Sequence, residues 1–125
     1  MKIYKSKMRY KFGELYMSVS PLRNVSREAA FYFFTSIGNY TGQSAVSLEE
    51  FLLKIKDINV KSLEFHLYRE DFEKWIDQTL GDVKLAEEIR ILRNTKSVGT
   101  ALRDRLYFMV SRHLKDLKSV SSGSR

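Results

Sequence analysis

The sequence predicts an all-α protein. It reads as a compact bundle of about six short helices carrying an extended basic N-terminal arm. Three observations predict this. Leu102, Leu106, Met109, Val110, His113, Leu114 and Leu117 recur at helical spacing, the most sustained periodic signal in the chain. Ser47 and Glu50 form a capping box ahead of an apolar face. Between residues 26 and 118, apolar residues at three- and four-residue intervals alternate with helix stops such as Gly38 and Gly81.

The arm occupies residues 1–25. Met8, Tyr10 and Phe12 alternate with Arg9 and Lys11, as in a strand, and Pro21 closes the stretch by disfavouring helix at Ser20. Ser26 is read as an N-cap, with Ala30, Phe33, Phe34 and Ile37 on one helical face and Gly38 as the stop. Gly38-Asn39-Tyr40-Thr41-Gly42 is then a loop. The capping box starts the next helix, with Leu48, Phe51, Leu52 and Ile55 inward.

Ser62–Arg69 alternates like a strand at Leu63, Phe65 and Leu67, yet also suits a short helix, which is the reading preferred. Asp71 caps a helix burying Phe72, Trp75, Ile76 and Leu80. Asp82 caps another burying Leu85, Ala86, Ile89 and Leu92. Residues 119–125, rich in serine, read as a disordered tail. The division is thus a basic arm (1–25), a helical domain (26–118) and a tail (119–125).

The 125 residues include no cysteine, which excludes disulfides and thiolate metal sites. A 43% hydrophobic content supports a self-sufficient core. No apolar run nears the roughly 20 residues that span a bilayer. Basic residues run through positions 2–11, where a signal peptide would be apolar. A cytoplasmic protein without membrane contact is the expectation.

Net charge +7 is unevenly laid out. Residues 1–27 carry seven basic residues against Glu14. Residues 28–89 carry six basic against twelve acidic, and residues 90–125 carry nine basic against Asp104 and Asp116. Cationic ends flank an anionic middle. Such ends either bind phosphate or pair with the middle, within one molecule or between two.

In the arm, Lys2, Tyr4, Lys5, Lys7, Arg9, Tyr10 and Lys11 interleave cations with aromatic rings. Cations neutralise phosphates and rings stack on bases. The alternative is that the rings pack on the core while the lysines keep an edge soluble. Arg105 and Arg112, seven residues apart, share one face of the last helix and extend the candidate nucleic-acid-binding set.

The chemistry of catalysis is not visible. No phosphate-binding loop, dinucleotide fingerprint or nucleophile elbow is present. His66 and His113 lack partners at metal-ligand spacing. His113 lies on the apolar stripe and reads as a core or interface histidine. His66 stands four residues before Glu70, so a His–Glu contact could orient an imidazole or pin two helices. No cofactor is expected, and the chain is read as a non-enzyme.

The segment Phe31-Tyr32-Phe33-Phe34-Thr35-Ser36-Ile37-Gly38-Asn39-Tyr40-Thr41-Gly42, followed by Ser47-Leu48-Glu49-Glu50-Phe51, carries a likeness. So does the run from Ser62 through Phe65-His66-Leu67-Tyr68-Arg69-Glu70-Asp71-Phe72 to Trp75-Ile76 and Leu80-Gly81-Asp82. These resemble an archaeal family of small uncharacterised helical domains, a domain of unknown function, found alone or appended to glycosyltransferase-like proteins. The resemblance implies a helical fold and an archaeal cytoplasmic setting, and it transfers no catalytic role. It singles out Thr41, Gly42, His66, Arg69, Asp71 and Trp75, with Tyr40 beside them, as a candidate shared site. That site requires the 38–43 loop to pack against the 62–76 helix pair.

Two functions follow as expectations. One is a non-enzymatic module contacting nucleic acid or a ribonucleoprotein such as the ribosome through the basic termini. The other is a protein-interaction or oligomerisation module, a homodimer included, that regulates a sugar-related metabolic enzyme.

Overall fold

Phe31 and Phe33 are buried while Tyr32 between them is exposed, a period of two. That period belongs to a strand, and the segment read as the first helix is one. The computed structural model describes residues 10–12, 15–17 and 20–123. Tyr10–Phe12 (β1) and Leu15–Met17 (β2) pair antiparallel, Tyr10 opposite Met17. Phe31–Ser36 (β3) and Asn39–Ala45 (β4) form a second antiparallel hairpin.

Five helices follow among the described residues: α1 (Leu48–Asp57), α2 (Val60–Tyr68), α3 (Asp71–Lys74, continuing as a π turn over Trp75–Thr79), α4 (Val83–Asn94) and α5 (Gly99–Gly123). The fold is therefore α+β, and the all-α expectation is corrected.

The physical reason lies in Phe-Tyr-Phe-Phe-Thr-Ser-Ile, a run of aromatic and β-branched residues that suits a pleated, half-buried surface. Ser26 makes no side-chain cap, and only a single 3-10 turn, Arg27–Ala29, follows it. Ile37, read as part of an inward face, is 81% exposed at the hairpin turn. Gly38 turns the chain with φ +79°, a conformation costly for a residue with a Cβ. The residues read as a loop, Asn39 to Gly42, are most of β4.

The ladder is irregular, with register shifts between Phe33 and Phe34 and between Phe34 and Ser36. Gln43 faces Phe33 while Tyr40 faces Phe34, so Thr41 and Gly42 bulge out of β4. Gly42 takes φ +85° there. Thr41 stitches the bulge, its hydroxyl donating to the Phe33 carbonyl at 2.7 Å and accepting from the Gln43 amide at 3.1 Å.

The helices follow their sequence signals closely. Ser47 Oγ accepts from the Glu50 amide, and the Glu50 carboxylate reaches back to the Val46 amide. Asp82 Oδ1 accepts from the Leu85 amide at 3.0 Å. α2 starts at Val60, two residues before Ser62, and Asn59 caps it by accepting from the Lys61 amide. The cap expected at Asp71 is not made. Glu70 occupies that position with φ +71°, and Asp71 is the first residue of α3. The α5 backbone is helical through Gly123, past Ser119, where the sequence suggests the start of a tail.

α2 packs on β3 and on α5, α1 on β4 and α5, and α4 on α3 and α5. The core between them joins Phe31, Phe33, Phe51, Phe72, Trp75 and the apolar stripe of α5. Each such side chain, fully buried, contributes roughly 1.5–3 kcal/mol through water exclusion.

Candidate functional site

His66 sits on α2 with only 4% of its surface exposed, among the rings of Phe31, Phe34, Phe65 and Phe72. Both ring nitrogens are engaged. The Phe34 amide, at the register shift in β3, donates to Nε2 at 2.8 Å. Nε2 therefore carries no proton, and Nδ1–H donates to Asp71 Oδ2 at 2.8 Å. Arg69 Nε donates to the same carboxylate oxygen at 3.0 Å, and the guanidinium lies over the Phe65 ring at 4.9 Å.

Burial pushes the His66 imidazole below its ordinary pKa, against the pull of Asp71, and Arg69 pushes it the same way. The ring is a neutral bridge between a strand and two helices. A general base or a metal ligand needs a ring nitrogen with a free lone pair, and the lone pair at Nε2 faces the Phe34 amide. The His66–Glu70 contact read from spacing is not made. Glu70, in its left-handed conformation, instead forms an outer ion pair with Arg93, 3.8 Å away.

The residues singled out as a shared site do not converge on one place. His66, Arg69 and Asp71 line a cleft of about 370 Å³ with Phe34, Ile37 and Phe65. Tyr40 and Thr41 line a larger cleft of about 820 Å³, between the hairpin and α1, with Gln43, Lys54, Asp57 and Asn59. The Tyr40 ring is linked to the first group through Phe34, whose ring lies 5.3 Å from Tyr40 and 6.3 Å from His66. Gly42 shapes the bulge. Trp75 is a core residue, its Nε1–H donating to the Ala29 carbonyl at 2.7 Å.

The second histidine makes a different pair. His113 Nε2 lies 2.6 Å from Asp82 Oδ2, both residues buried. The hydrogen bond to Asp82 holds the His113 pKa above its ordinary value, against burial. The helical spacing places His113 in the apolar stripe but does not reveal its partner. The i, i+31 separation carries no local signal.

Of the proposed nucleic-acid contacts, Lys2, Tyr4, Lys5, Lys7 and Arg9 lie outside the described residues. Tyr10 and Lys11 are in β1. Arg105 and Arg112 are exposed on α5, where Arg112 lies over Phe108 at 5.3 Å and Arg105 donates to Ser97 Oγ at 3.0 Å. Phe108, between them and 63% exposed, was not singled out from sequence. Its place at i+3 from Arg105 and i−4 from Arg112 is the signal that could have found it.

Arg105, Arg112 and Lys115 have no acidic partner among the described residues. Three other C-terminal cations are engaged internally. Arg93 pairs with Glu73 at 2.9 Å, Lys118 with Glu49, and Arg103 donates to the carbonyls of Ile55 and Lys56 at the end of α1.

Among the described residues no group of three or more metal-ligating side chains comes together. No helix among them is long and apolar enough to cross a membrane. The sequence profile of a family of unknown function, DUF5752, matches residues 26–124. The chain belongs to this family. The match takes in the hairpin, all five helices and both His–Asp pairs, and it begins at Ser26, after the basic arm. Comparison with curated proteins and with solved structures gave no match.

Proposed function

We propose that this DUF5752 chain is a non-catalytic binding module that contacts nucleic acid or a ribonucleoprotein through its basic termini, in an archaeal cytoplasm. The observation that carries the reading is the exposed ridge of Arg105, Phe108 and Arg112 on α5. Two guanidinium groups without acidic partners among the described residues flank an exposed ring. Arginines of this kind neutralise phosphates, and an exposed ring offers a face on which bases stack. The cation- and ring-rich arm and the net charge of +7 support the same reading. The engagement of both His66 nitrogens supports the non-catalytic part.

The test is fluorescence anisotropy with a single-stranded RNA and a duplex DNA of mixed sequence across a salt series. Binding is expected at low salt, falling steeply as salt rises. The double variant R105A/R112A should weaken binding and reduce the salt slope by about one unit for each phosphate that is no longer neutralised. Deleting residues 1–12 should weaken it further while the helical circular dichroism is retained. Absence of binding to both probes at low salt overturns the reading.

A second reading has its own support. The pairs Arg93–Glu73 and Lys118–Glu49 join the basic end to the acidic middle within one chain. The same complementarity between chains would give a protein-interaction module, a homodimer or a regulator docked on a sugar-related enzyme. Sedimentation of nuclease-treated protein separates the two readings. An assembly that survives nuclease, in a protein that binds neither probe, favours the second.

A further inference from the structure

The bond from the Phe34 amide to His66 Nε2 has a chemical property that the other links between hairpin and helices lack. It exists only while Nε2 is unprotonated. Its neighbours are defined. Charged groups reach the ring from two elements, Asp71 at the start of α3 and Arg69 at the end of α2. β3 and the body of α3 present only rings, Phe31, Phe33, Phe34 and Phe72.

We propose that the Phe34–His66 bond is an acid-sensitive latch, and that a proton taken up at Nε2 frees the β3–β4 hairpin from α2 while the ring stays on α3. The proton comes from solvent and lands on the lone pair that the Phe34 amide now uses. Nε2–H then faces Phe34 N–H, donor against donor, and the bond cannot persist. On the other side of the ring nothing is lost. Nδ1–H still donates to Asp71, now as an imidazolium to a carboxylate, a stronger pairing than before.

The break is therefore directional, and it falls at the irregular part of the ladder, where the register shifts leave β3 least supported by β4. Freed from α2, the hairpin draws the Phe31 and Phe33 rings toward water and opens the cleft between Phe34 and His66. Burial keeps the ring neutral at ordinary pH, so the latch is closed there and opens on the acid side.

The test uses the full chain and follows backbone amides and the His66 ring by NMR from about pH 7.5 to about pH 5, the range in which histidine switches are read. The expected result is that hairpin protection, Phe34 first, falls in step with protonation of the His66 ring. Between the closed- and open-state pKa values the fall should be about tenfold per pH unit. Amides of α4 and α5 should hold. In H66Q, whose side-chain oxygen can accept from Phe34 without titrating, hairpin protection should not change with pH. Three results overturn the proposal: hairpin protection that is constant while the ring titrates, the same loss in H66Q, or a ring that stays neutral until the whole chain unfolds.

Discussion

The two histidine–aspartate pairs share a chemistry, yet the two rings are pushed in opposite directions from the ordinary histidine pKa. At the hairpin, His66 faces Asp71 at 2.8 Å; between α4 and α5, His113 faces Asp82 at 2.6 Å. Both rings are buried. Yet His66 is held below its ordinary pKa and His113 above it. The difference is one of balance: burial outweighs the pull of Asp71 at His66, and the hydrogen bond to Asp82 outweighs burial at His113. Asp71 is shared with Arg69, and the other nitrogen of His66 must stay unprotonated for the Phe34 amide. Asp82 faces His113 without a competing cation among its ion pairs, with Glu88 adding to the attraction and Lys84 opposing it. A carboxylate beside a histidine does not by itself fix the direction; whether burial or the hydrogen bond to the carboxylate weighs more decides.

The largest effect should come from Asp82→Ala. It strands His113 in the core and removes the α4 cap in one step. Loss of one partner of a buried pair costs roughly 3–5 kcal/mol, read by urea unfolding. Asp71→Ala should cost clearly less, because Asp71 is 26% exposed. Equal costs would break the comparison.

Trp75→Ala should also cost roughly 3–5 kcal/mol, through a cavity beside Phe31 and Phe51. Because no charge is involved, that cost should be the same at neutral and mildly alkaline pH, where the hairpin stays latched.

The pH dependence of two further variants should have opposite signs. His113 has a raised folded pKa. Its contribution is fully present below the unfolded value and is lost as pH rises through the folded one. H113Q should therefore cost most on the acid side. His66 has a lowered folded pKa. Its contribution is complete above the unfolded value and declines as pH falls toward the folded one. H66Q should cost most on the alkaline side. Unfolding of both variants at several pH values checks the signs, and a common sign would contradict the account.

The smallest effect is expected from Arg69→Ala. An exposed pair with Asp71 is worth about 0.2–1 kcal/mol. Removing the cation should nonetheless raise the His66 pKa, since Arg69 pushes it down. A ring titration by NMR would show this even where stability barely moves.

Much of the helical half was legible in the sequence. The capping box at Ser47, the cap at Asp82 and the stripe from Leu102 to Leu117 are local signals, and local interactions enforce them. The hairpin is ambiguous in the sequence because Phe33, Phe34 and Ile37 satisfy helical spacing while Phe31 and Phe33 satisfy alternation. Only the burial of Phe31 and the exposure of Ile37 decide between them.

The His66 bridge was illegible for two reasons. Its partner on β3 is a backbone amide, which has no residue identity to read. Its partner on α3 is at i+5, reached only because Glu70 takes a left-handed conformation that nothing in Arg69-Glu70-Asp71 announces. On α5 the spacing of Arg105, Phe108 and Arg112 was present, but the exposure of Phe108 had to be seen.

The measurement that bears most directly on a neutral, structurally committed His66 is its tautomer and titration, read from the ring nitrogens by long-range proton–nitrogen NMR at neutral pH. The structure requires the proton on Nδ1, with Nε2 accepting from the Phe34 amide. A proton on Nε2, or a ring titrating at the ordinary histidine value with Phe34 unaffected, would contradict it.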